Sequence, residues 1–120
     1  MKRVLVVEDT EDNRRIIRDL LTSAGYEMIE AVDGEQGVAM AAEHRPDLIL
    51  MDIQLPVLDG YEATRRIKAN PALRHIPVIA VTSYALSGDE EKTRAAGCDA
   101  YVAKPFSPRL LLAKVRGFLE

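Results

Sequence analysis

Leu48-Ile49-Leu50-Met51-Asp52 decides the fold: four large apolar residues in an unbroken row, closed by a carboxylate. A strand with one wet face alternates apolar and polar residues. An unbroken apolar row signals a strand covered on both faces, as in a parallel sheet flanked by helices. The pattern recurs on either side. Val4-Leu5-Val6-Val7 ends at Glu8-Asp9, and Val78-Ile79-Ala80-Val81 ends at Thr82-Ser83. Pro77 precedes the row from Val78, at a strand start where a missing N–H matters least. Ala100 to Ala103 is shorter and ends at Lys104-Pro105, and Met28 to Val32 reads as one more strand, followed by Asp33.

Helical signals fill the intervals. Ile16, Ile17, Leu20, Leu21 and Ala24 have helical spacing, with Gly25 placed to end the helix. Asp33 and Gln36 have the spacing of a capping box opening a helix through Val38 to Ala42, which Pro46 stops. Asp59 and Glu62 repeat that spacing before a helix to about Ala69, and Ser87 and Glu90 repeat it before a helix to Ala96 that Gly97 ends. Ser107 then Pro108 reads as an N-cap followed by proline at the first helical position. The last helix carries Leu111, Leu112, Val115, Phe118 and Leu119. Strand and helix alternating five times predict an α/β fold with a parallel sheet. Right-handed crossovers leave few topologies, and the expected one is a doubly wound, flavodoxin-like sheet of order 2-1-3-4-5. No internal repeat, low-complexity tract or linker interrupts residues 1–120, so one domain with no attached output domain is expected.

Bulk properties narrow the function. The chain has 120 residues, a net charge of -3 and 48% apolar residues, which suits a globular domain with one core. A nucleic-acid surface needs clustered positive charge, and this chain has an acidic balance. Arg14-Arg15 and Arg65-Arg66 lie in acid-containing helical segments and read as solvated faces. The single cysteine, Cys98, excludes an intrachain disulfide and reads as a small buried residue. The apolar run at the N-terminus is too short for a signal peptide or a membrane span. A cytoplasmic protein without membrane insertion is expected.

Sites in open parallel sheets form at the carboxyl ends of the strands. Four strands deliver polar groups there: Glu8 and Asp9, Asp52, Thr82, and Lys104. Singly, each has a bland reading as a helix cap, turn residue or surface charge. Asp52 is the exception, since a carboxylate directly behind four apolar residues should be partly buried, where an unpaired charge is costly. Glu8, Asp9 and Asp52 together concentrate negative charge that a cation must offset. Hard oxygen ligands around a small cleft suit Mg²⁺, which keeps waters and bridges to phosphate oxygens. A carboxylate beside such a cation can act as nucleophile on a phosphoryl group. Lys104, Thr82 and backbone N–H groups are then candidates to neutralise the equatorial oxygens.

These motifs resemble the receiver domains of response regulators, the CheY-like family. The carriers are Val7-Glu8-Asp9, Leu50-Met51-Asp52-Ile53-Gln54-Leu55-Pro56, Asp59-Gly60, Ala80-Val81-Thr82-Ser83 and Lys104-Pro105, in the family's order and spacing over essentially the whole chain. The stretch from Val7-Glu8-Asp9-Thr10-Glu11-Asp12-Asn13 through Ala24-Gly25-Tyr26 also resembles receivers of hybrid kinases and of single-domain regulators, and Pro46 to Pro56 and His75 to Thr82 strengthen the single-domain likeness. The resemblance implies that Asp52 is the phosphoacceptor. It implies that Asp9 and Asp52 ligate Mg²⁺ with the backbone carbonyl of Gln54, while Glu8 assists through water. Many relatives carry Asp where this chain has Glu8. Lys104 would pair with the phosphoryl group, its bond to Pro105 cis. Thr82 and Tyr101 would shift together and remodel the face of the fourth helix, fifth strand and fifth helix. Gln54 and Tyr84 flank the site where relatives vary and would tune dephosphorylation. Gly60 is expected to supply a turn conformation costly to other residues. The helix from Glu90 to Ala96 has few large apolar anchors, as a switch element requires.

The resemblance implies a sensor histidine kinase or histidine phosphotransferase upstream, a protein target downstream, and a monomer or weak dimer. It implies no enzyme acting on outside metabolites. Three other readings compete. A flavin or nucleotide carrier of flavodoxin-like fold needs a Gly-, Ser- or Thr-rich phosphate cradle after the first strand, where this chain has Glu8-Asp9-Thr10-Glu11-Asp12. A metal-dependent phosphatase with an Asp nucleophile needs a second acid two residues on, where Gln54 stands. A receiver-like docking protein independent of phosphate would have no need of the full set of acids, Thr82 and Lys104.

Overall fold

A computed structural model describes residues 1–83 and 89–120. Five strands and five helices alternate: β1 (Arg3–Val7), α1 (Glu11–Ser23), β2 (Glu27–Ala31), α2 (Gly34–His44), β3 (Leu48–Asp52), α3 (Gly60–Ala69), β4 (Val78–Thr82), α4 (Asp89–Ala96), β5 (Ala100–Ala103) and α5 (Pro108–Leu119). The sheet is parallel throughout, in the expected order β2-β1-β3-β4-β5. Ser87 and Tyr84 lie outside the described residues, so the cap expected at Ser87 and the flanking role of Tyr84 are not placed.

The unbroken apolar rows form the central strands because both of their faces are covered. Every residue of β3 and β4 is buried. Side chains alternate between two cores with the period of a strand. Leu5, Val7, Ile49, Met51, Val78 and Ala80 pack with Ala63 and Ile67 of α3. Val4, Val6, Leu48, Leu50 and Ile79 pack with Ile17 and Leu21 of α1 and with Leu111 and Val115 of α5. Truncating Ile49, Leu50, Met51 or Ile67 to alanine would cost about 2–5 kcal/mol.

Local chemistry ends the helices where the sequence suggests. Asp33 accepts a hydrogen bond from the Gln36 amide at 2.7 Å, and the Gln36 side chain accepts from the Val32 amide at 3.0 Å. The reciprocal half of the box therefore reaches one residue earlier than the usual pattern. Asp59 accepts from the Glu62 amide at 2.9 Å, but the Glu62 carboxylate turns to Arg65 and Arg66. Ser107 caps α5 with Pro108 behind it. Gly25 and Gly97 take left-handed φ angles of 88° and 104° after α1 and α4, and Arg45 does so after α2.

Three expectations are corrected. Phe118, counted with the apolar face of α5, is 39% exposed, while Leu111, Leu112, Val115 and Leu119 make up the face that packs on the core. Gly60 does not adopt a left-handed conformation. Space is what requires glycine there: a Cβ would sit 2.2 Å from the Asp52 carbonyl oxygen. Gly34 is the same kind of case, its Cβ position being occupied by the Leu58 carbonyl. The left-handed residue of the β3–α3 loop is Val57, at φ 69°.

Arg14 is the third. Arg15, Arg65 and Arg66 are solvated as read, but the Arg14 side chain is only 12% exposed. It donates to the Glu8 carbonyl at 2.8 Å and to Glu30 of β2 at 3.2 Å. Arg18 donates twice to the same carboxylate, at 2.8 and 2.6 Å. The Arg18 hydrogen bonds, and then its charge and Arg14, hold the Glu30 carboxyl below its ordinary value against the opposing effect of burial. A folded-state pKa below the unfolded one contributes stability above the unfolded value and loses it as pH falls through the folded value. Glu30→Gln is therefore expected to cost about 0.5–1 kcal/mol at pH 7, the range for a partly solvated pair. The difference should shrink as pH drops below the ordinary 4.5. Urea denaturation of both proteins across that range is the measurement.

Candidate functional site

Strand register assembles the site. Val6 of β1 pairs with Leu50 of β3, and Val7 with Met51. One residue further, Glu8 comes level with Asp52. Asp52 pairs with Val81, and Thr82 with Ala103, so Thr82 and Lys104 arrive at the same rim. Glu8 and Asp52 also share parity with Val6 and Leu50, which face α1 and α5. The two carboxylates therefore emerge on one side of the sheet.

Both are nearly sealed from water: Glu8 is 2% exposed and Asp52 4%. Asp9 is exposed beside them, and one ligand atom from each of the three lies within 4.8 Å of the others. Lys104 balances part of this charge, donating from Nζ to Glu8 Oε1 and to Asp52 Oδ2, each at 3.0 Å. Burial works against its ammonium, but hydrogen bonding and charge from Asp52, then Glu8, outweigh it and lift its pKa above the ordinary lysine value. Asp9 is raised above the ordinary aspartate value by partial burial, then by its hydrogen bond and repulsion with Glu8, with its own backbone hydrogen bond and then Lys104 opposing. Three carboxylates facing one ammonium leave room for a divalent cation. Oxygen ligands of this kind fit Mg²⁺ better than a softer metal.

Gln54 and Thr82 adjoin these groups, and Tyr101 stands on β5 level with Ala80. Asp52 Oδ1 accepts from the Gln54 amide at 3.1 Å, which starts the loop running to Asp59. Thr82 is fully buried at the end of β4, and its carbonyl accepts from the Lys104 amide at 2.7 Å. The Lys104–Pro105 peptide is cis. Tyr101 is half-buried on β5, packed at the edge of the core that also holds Met51 and Ala80, and lines a surface cavity with Glu90, Thr93 and Lys114. Only Thr93 and Ala96 of α4 are buried among its described residues, in keeping with the sparse anchoring read from its sequence. Cys98 is buried and donates weakly to Thr64, and burial pushes its thiol up, away from reactivity.

The site contains two residues that the sequence reading does not place in it. Asn13 of α1 donates from Nδ2 to Glu8 Oε1 at 3.1 Å, and Arg14 fixes the Glu8 carbonyl. Asn13 also lines an open cleft of about 590 Å³ with Ile16, Ser83, Lys104, Pro105 and Phe106. The available signal was their place in the first turn of a helix that starts just after Glu8-Asp9.

A sheet of this order with acids, threonine and lysine on one rim defines a class, and comparison with known proteins agrees: residues 4–116 match the response regulator receiver domain. The chain belongs to that family. It is 49% identical to the polar-differentiation response regulator DivK of Brucella anthropi over 98% of this chain and 96% of that one. It is 48% identical to the DivK of Brucella ovis with the same coverage. Among solved structures, the receiver domain of a sensor histidine kinase from Pseudomonas aeruginosa PAO1 superposes with a TM-score of 0.91 at 44% identity, covering 98% of this chain and 96% of that one. That neighbour has a magnesium ion coordinated in its active-site cleft. Chemotaxis protein CheY4 of Vibrio cholerae gives a TM-score of 0.92 at 29% identity, covering 98% of each chain. The chain is thus a DivK-like receiver domain, consistent with two-component signalling. Among the described residues, no helix is long and apolar enough to cross a membrane.

Proposed function

We propose that this protein is a phosphorylation switch that accepts a phosphoryl group on Asp52 from the phosphohistidine of an upstream histidine kinase or histidine phosphotransferase. The observation that carries the reading is the position of Lys104, with its ammonium between two nearly sealed carboxylates. A cation so placed can leave a carboxylate for an incoming phosphoryl oxygen without crossing the site.

Asp9, Asp52 and the Gln54 carbonyl would hold Mg²⁺, with Glu8 assisting through water. The ion supplies positive charge to the phosphoryl oxygens. An Asp52 carboxylate oxygen bonds to phosphorus as the P–N bond to the donor imidazole breaks, and that nitrogen leaves with the electron pair. Lys104 and the Thr82 hydroxyl take equatorial oxygens. The acyl phosphate draws Thr82 and Tyr101 together, and the weakly anchored α4 with β5 and α5 presents the changed face to a protein target. The chain works in the cytoplasm and catalyses only its own phosphorylation and dephosphorylation.

Incubation with acetyl phosphate is expected to add one phosphoryl group, read by intact mass, only when Mg²⁺ is present. The adduct should survive acid and be lost in base, as an acyl phosphate is. If neither acetyl phosphate nor a panel of phosphorylated histidine domains labels the protein, the proposal fails and phosphate-independent docking takes its place.

A further inference from the structure

We infer that Asn13 is a positioning residue for the metal site. This rests on the Mg²⁺ reading above and names the group that keeps Glu8 usable when Lys104 departs. Glu8 is the unusual member of the acidic set, because glutamate has one more rotatable bond than aspartate and more ways to turn away. Three donors restrain it. Oε1 accepts from Lys104 Nζ at 3.0 Å and from Asn13 Nδ2 at 3.1 Å, and Oε2 accepts from the Thr10 amide at 3.2 Å. A carboxylate oxygen has two lone pairs. Those of Oε1 are both engaged, so the free acceptor capacity lies on Oε2.

Two of the three donors differ in what happens next. Lys104 has a second partner in Asp52, and phosphotransfer calls it to the phosphoryl group. Without Asn13, that movement would leave Oε1 of a carboxylate only 2% exposed without a donor. A stranded buried acceptor is costly. Lys104 would then be held back on Glu8, and Glu8 would be free to swing. Asn13 removes both difficulties, because it is neutral, belongs to α1 and takes no part in the transfer. Arg14, next along the helix, fixes the Glu8 main chain through its carbonyl, so the first turn of α1 grips the residue at both ends.

The test is a Mg²⁺ titration of the full chain, followed by thermal midpoint and by calorimetry. Asn13→Leu removes the donor at similar volume. It is expected to weaken Mg²⁺ binding about tenfold, the lower end for loss of a group that orients a metal ligand. In a Glu8→Gln background the same substitution should change nothing further. A merely structural role would lower the midpoint without Mg²⁺ and leave the titration unmoved. If the wild type does not respond to Mg²⁺, the metal reading itself falls. If the wild type responds and Asn13→Leu binds Mg²⁺ as tightly, or if Asn13→Leu weakens binding equally without Glu8, the role of Asn13 is overturned.

Discussion

Asp52→Asn is expected to abolish phosphorylation completely while leaving the fold in place. The amide has the carboxylate's shape, and its oxygen can still accept the Gln54 amide that Asp52 Oδ1 accepts at 3.1 Å. What it lacks is a nucleophilic anion, so no acyl phosphate can form. Two stability effects oppose each other. Lys104 loses one of its two acceptors, and Glu8 and Asp9 lose a repelling neighbour. Unfolding curves near those of the wild type, with no adduct by intact mass, are therefore the expected pair of results. An adduct on the variant at the wild-type rate would place the acceptor elsewhere.

Gly60→Ala should be among the most damaging small substitutions. The added Cβ would lie 2.2 Å from the Asp52 carbonyl oxygen and 2.7 Å from the Ile53 Cα. Both are backbone atoms, so neither can be turned aside. The Gly60 amide also donates to the Ile53 carbonyl at 2.9 Å, which ties the start of α3 to the end of β3. The cost is expected to be about 3 kcal/mol or more, the range for forced overpacking against fixed atoms. If the loop yields before the fold does, Asp52 moves with it and phosphotransfer slows as well. Gly117→Ala is the control. Nothing lies within 4 Å of its Cβ position, and alanine favours α5 there by about 0.5–1 kcal/mol. Urea denaturation of the two variants should thus move in opposite directions.

The parts of this molecule that could be read from its sequence are those set by local pattern. Unbroken apolar rows gave β1, β3 and β4, because burial on both faces leaves no polar alternation to obscure them. The acids, Thr82 and Lys104 were visible because each follows such a row. Arg14 was not, because its burial depends on Glu30, 16 residues away on a strand whose place beside α1 is a tertiary fact. The hint was a charged residue inside a strand-like stretch. The need for glycine at position 60 is legible but its reason is not, since chain approach leaves no local trace in sequence. Asn13 carries no such mark, since it follows no apolar row. A ligand's own supports are set by side-chain packing, which spacing alone does not specify.

β5 is an edge strand of four residues, and Pro105 follows it closely. β2, the other edge, begins at exposed Glu27 and carries Glu30, which is committed to Arg14 and Arg18. Short length, charge and proline are what discourage an edge from recruiting a strand of a neighbouring molecule. Neither rim invites the sheet to continue into a second copy. Whatever this protein meets, it should meet through helices and loops, and a crowded solution of it should resist growing into fibres.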